Sequence, residues 1–69
     1  MKLISLQSFG DRTIRVVSRS GKDGDAEVIR KTMLHTEYHG LRIHEESVWC
    51  GNIEMALKYA GEWVRGQRQ

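Results

Sequence analysis

Cys50 is the only cysteine in a chain of 69 residues, which leaves a packed apolar core as the sole means of holding a fold together. An internal disulfide is impossible, and a domain this small buries only about 60% of the surface its unfolded chain exposes. The core must therefore be compact. The composition can supply one: 39% of residues are hydrophobic and 29% are charged, near the globular average and far from chains that stay disordered. A lone thiol suits a reducing compartment, so a cytoplasmic protein is expected. No run approaches the length of a membrane span, and residues 1–6 are too few and too polar for an export signal.

There is no proline, repeat or low-complexity run, so the reading is a single domain over residues 1–69. Its one linker-like loop is Ser20-Gly21-Lys22-Asp23-Gly24-Asp25, and residues 66–69 read as a C-terminal tail. Ahead of the loop, Ser8-Phe9-Gly10-Asp11-Arg12-Thr13 reads as a tight turn between two strands, with Gly10 able to supply a positive φ. Closing three residues, 10–12, gathers Ile4, Leu6, Ile14 and Val16 on one face. A two-residue closure would set Leu6 opposite Arg15, so the three-residue turn is expected. The other face then carries Ser5, Gln7, Arg15, Val17 and Arg19.

Residues 26–39 are ambiguous. As a helix their apolar positions, Val28, Ile29, Met33, Leu34 and Tyr38, spread around the wheel. As a strand they lead into Glu37-Tyr38-His39-Gly40, a turn ending on a left-handed glycine. A second hairpin is favoured, with Thr36 opposite Leu41, Leu34 opposite Ile43, Val28 opposite Trp49 and Lys31 opposite Glu46. The C-terminal helix is the clearest element: Asn52 is a good N-cap, and Ile53, Ala56, Leu57, Ala60 and Val64 recur at helical spacing. Gly61 inside it implies either close approach of the sheet or a loosened helix. The expected fold is α+β, a four-stranded antiparallel meander of two hairpins with one C-terminal helix packed on the sheet; the alternative order is ββαβα.

None of the strong catalytic or cofactor signatures is present, so no enzyme and no cofactor are expected. His35, His39 and His44 are the best metal ligands, with Glu37 nearby, but their spacing matches no established site. Cys50, beside a helix N-terminus, reads as structural in the absence of a local partner. Gly21-Lys22-Asp23-Gly24-Asp25 resembles a calcium loop only superficially, having two aspartates and no distal glutamate.

Charge is uneven. Residues 1–31 hold seven Lys/Arg against four Asp/Glu, and residues 32–69 hold four against five. Arg15 and Arg19 share a strand face about 13 Å apart; with Arg12 and Lys22 they make a candidate nucleic-acid surface, although stacking aromatics are missing. On the helix, Met55, Tyr59 and Trp63 recur at i, i+4 and i+8 beside the core stripe. These residue types are enriched in protein interfaces. The leading expectation is a non-enzymatic module binding another protein or a second copy of itself, as small accessory, regulatory or phage-type inhibitor proteins do. The alternative is a nucleic-acid-binding regulator acting through Arg12, Arg15, Arg19 and Lys22.

Overall fold

Gly10, at φ +59°, is the first residue of a two-residue turn with Asp11, and it brings Phe9 opposite Arg12. Asp11 keeps a negative φ, so the turn has the type II′ pattern, whose twist matches that of the strands it joins. The computed structural model describes residues 1–38 and 40–67. Strand β1 (Lys2–Phe9) and β2 (Arg12–Ser18) form this first hairpin; β3 (Ala26–Thr36) and β4 (Gly40–Trp49) form the second; helix α1 (Ile53–Gln67) follows. The four strands make one antiparallel sheet in the order β1-β2-β3-β4, the expected α+β meander. Residues 26–36 are strand, so the ββαβα order is not adopted.

Both hairpin registers differ from expectation. The tight II′ turn replaces the three-residue closure and does set Leu6 opposite Arg15. A bulge between Leu3 and Ser5 then shifts β1, and Ile4 returns to the core while Leu6 stays out. In the second hairpin Thr36 pairs with Gly40 and Val28 with Val48, one residue away from the expected alignment. This register places two opposite-charge pairs directly across the strands, Arg30 with Glu46 and Lys31 with Glu45. It also puts Val48, rather than the larger Trp49, on the face of Val28.

Ile14, Val16, Ala26 and Val28 of β2 and β3 meet Ala56, Ala60 and Val64 of α1 in the core. Two alanines at the centre of the helix stripe let its backbone approach the valines. Each fully buried valine or isoleucine contributes about 1.5–3 kcal/mol from area removed from water. Gly61 faces solvent with open space around it, so its helix-propensity cost brings no closer packing. The helix continues through Gln67, into the residues read as a tail; residues 68–69 lie outside those described.

The loop expected to be linker-like is closed on itself and on the helix. Ser18 donates its hydroxyl to the Lys22 carbonyl at 2.8 Å, and Asp25 accepts the Ser20 N–H at 3.0 Å. Asp23, in a single 3-10 turn (Asp23–Asp25), accepts the Ile53 N–H at 2.9 Å, while Asn52 accepts the Met55 N–H at 2.8 Å. Two of the helix's orphan donors are thus satisfied, one from a loop thirty residues away. Asp23→Ala is expected to cost about 1 kcal/mol of unfolding free energy, as loss of an N-cap does; urea denaturation followed by circular dichroism checks it.

Candidate functional surface

One helix lies over β2 and β3, and among the described residues no element covers the opposite side of the sheet. Alternation along the strands directs Leu3, Leu6, Arg15, Val17, Arg19, Ile29, Lys31, Met33, Ile43 and Glu45 toward that side. Val17 and Ile29 at its centre are 2% and 7% exposed, whereas Leu3, Leu6 and Ile43 are 56%, 57% and 57% exposed. A hollow of about 250 Å³ opens there between Leu6, Thr13, Arg15, Lys31 and Met33. This apolar face is what the sequence reading missed. Its signal was present in adjacent apolar pairs: Val16-Val17, Val28-Ile29 and Met33-Leu34 must send one member to each face, which one-sided burial does not require.

The basic residues are distributed differently from the apolar ones. Arg15 and Arg19 share the bare face, as expected, but each meets a carboxylate. Arg19 lies 3.0 Å from Glu27, which is only 8% exposed, and Arg15 lies 3.9 Å from Glu45 on β4. The Arg15–Glu45 pair spans β3 on the side where Ile29 is buried. Arg12 sits on the helix side and donates to the Gln67 side-chain oxygen, and Lys22 lies at the N-terminal end of the 3-10 turn.

The helix stripe is divided. Trp63 is half-buried and stands edge-on to Phe9, ring centres 6.2 Å apart. Tyr59 is half-buried beneath the Arg30 guanidinium, 6.0 Å from its ring centre. Met55 is exposed and lines a groove of about 410 Å³ with Trp49, Cys50, Lys58, Tyr59 and Glu62.

The residues considered for metal or thiol chemistry are separated or occupied. His35 pairs with Leu41 and His44 with Thr32, which puts them on opposite faces of the ribbon instead of one; His39 lies outside the described residues. Among the described residues, no three His, Cys, Asp or Glu side chains gather as ligands. Asp23 and Asp25 both accept backbone N–H groups. Cys50 is half-buried at the core rim, its N–H donated to the Ala26 carbonyl at 3.0 Å. Among the described residues, no helix is long and apolar enough to cross a membrane. No protein family, curated protein or solved structure matches this chain.

On the helix side of β4, Glu46 collects two donors. His44 Nε2–H donates at 2.9 Å and Arg30 pairs with the other oxygen. The His44 hydrogen bond first, and the Arg30 charge second, hold the Glu46 carboxyl below its ordinary range. Its ionised form is favoured by folding, so the stabilisation is present above the unfolded carboxylate pKa and is lost as pH falls through the lowered folded value. In a carboxyl ¹³C titration Glu46 is expected to titrate below its midpoint in the unfolded chain, and His44→Ala and Arg30→Met each to move it upward.

Proposed function

We propose that this chain is a non-enzymatic binding module whose partner is another protein, docked on the bare face of the sheet. The observation that carries the proposal is the uncovered apolar surface around Val17 and Ile29, flanked by Leu3, Leu6, Met33 and Ile43. Exposed apolar side chains with charged residues among and around them are the makings of a protein interface. The occupant that fits is a folded protein presenting its own apolar surface, because Arg15 and Arg19 are each already paired with a carboxylate of the chain. The same pairing weighs against the nucleic-acid alternative. Arg15 and Arg19 would have to leave Glu45 and Glu27 to reach phosphates, and Arg12 is on the other side of the sheet.

The packing of Trp63 and Tyr59 against the core supports the bare face over the helix stripe as the binding surface. Leu6→Lys and Ile43→Lys, made singly, are expected to fold with near-parental melting temperatures. Each should lower partner recovery from the native cell lysate by an amount corresponding to about 2 kcal/mol, as for an interface anchor. Leu57→Lys, on the exposed side of the helix, is expected to recover the partner as the parent does. Quantitative mass spectrometry of the captured proteins checks this. Equal recovery by all three folded variants would place the binding surface elsewhere.

A further inference from the structure

Strand β4 is an edge over its whole length, and all ten of its residues are exposed. Edge strands are usually protected by a bulge, a proline, a covering element or charged side chains. The other edge, β1, has a bulge at Ile4. β4 has only its charged side chains, Arg42, Glu45 and Glu46: its pairing with β3 runs without a register shift from Gly40 to Trp49, and the chain contains no proline. Its outward backbone groups can be assigned. Cys50 donates its N–H to the Ala26 carbonyl, and hydrogen bonds alternate along an antiparallel strand. Even-numbered residues of β4 therefore bond to β3, while Leu41, Ile43, Glu45, Ser47 and Trp49 present N–H and C=O outward.

Beyond Met33, whose N–H still bonds the Asp11 carbonyl, the β3–β4 hairpin continues as two strands alone. Two strands are marginally stable in water, and a third supplied from outside would support them.

We propose that a second copy of this chain supplies that strand, β4 pairing antiparallel with the β4 of its partner about a two-fold axis at His44. An antiparallel edge-to-edge two-fold keeps the helices on one side and pairs even residues with even. Two such registers give the longest overlap. One sets Glu45 directly against its own copy. The other sets Arg42 opposite the partner's Glu46, twice by symmetry, and places outward-facing Leu41 and Ile43 opposite the partner's Ser47 and Glu45. Opposite charges across strands stabilise and like charges destabilise, which selects the second register.

Arg42 has no carboxylate partner among the described residues, and Glu46, already held by Arg30 and His44, still has acceptor capacity on both oxygens. The residues that decide this pairing, Arg42 and Glu46, lie on the helix side of the sheet, whereas the docking face is the other side and meets the edge only at Ile43 and its β4 neighbours.

The test is a charge exchange read by sedimentation equilibrium, with circular dichroism to establish that each variant is folded. The parent is expected to dimerise. Arg42→Glu and Glu46→Arg alone each set like charges opposite, and each is expected to weaken the dimer about tenfold or more. An equimolar mixture of the two restores both complementary pairs and is expected to form a heterodimer of near-parental affinity. A parent that stays monomeric up to about 1 mM, beyond the weakest useful affinities, would overturn the proposal. So would a dimer indifferent to both substitutions, or folded variants whose mixture does not associate. None of these outcomes bears on Leu6, which lies on β1 at the far side of the sheet, so loss of the dimer leaves the docking-face reading intact.

Discussion

A single fifteen-residue helix can cover only the middle of one side of a four-stranded sheet, and the remaining features of this protein follow from that limit. Ala56 and Ala60 let α1 settle close over Val16 and Val28, so the core is narrow and well sealed. The same closeness keeps the helix over β2 and β3. Both outer strands and the whole opposite face are left to other means of protection.

Those means are partial. Charged side chains span the bare face, Arg19 beside nearly buried Glu27 and Arg15 reaching Glu45, and they shield the two central apolar residues. Around them Leu3, Leu6 and Ile43 stay open to water. An isolated domain has no folding need for so much exposed apolar surface, whereas a domain that meets a partner does. The charges also bear on which partner fits. Arginines held by carboxylates of the same chain offer little net attraction to a polyanion and still supply a polar surround to an apolar contact.

The architecture was legible because its signals are local. Asn52 with the Ile53, Ala56, Ala60 and Val64 spacing specifies the helix, and the left-handed glycines 10 and 40 specify where the chain reverses. Register was less legible. The sequence reading assumed one apolar face and chose the turn that buried Leu6. The chain instead uses a tight Gly10-Asp11 turn and a bulge, which bury Ile4 and leave Leu6 out, and no local pattern announces a bulge. In the second hairpin the deciding terms are two cross-strand charge pairs and the size of Trp49, visible only once registers are compared pair by pair. The helix stripe read as a surface is half rim: Trp63 meets Phe9, fifty-four residues earlier, a contact no local spacing could reveal. Asp23 was hidden for the same reason, its target being the distant start of α1.

The central claim is that folding stability resides beneath the helix and at the buried centre of the sheet, and that the exposed apolar rim of the bare face adds little to it. Equilibrium urea denaturation of Val28→Ala and Leu6→Ala tests this most directly, since the two residues project to opposite sides of the same sheet. The account predicts a loss of about 2 kcal/mol for Val28→Ala, from buried methyl groups and the cavity they leave. It predicts about 0.5 kcal/mol or less for Leu6→Ala, as for an exposed substitution. Comparable losses at both positions, or the larger loss at Leu6, would contradict it.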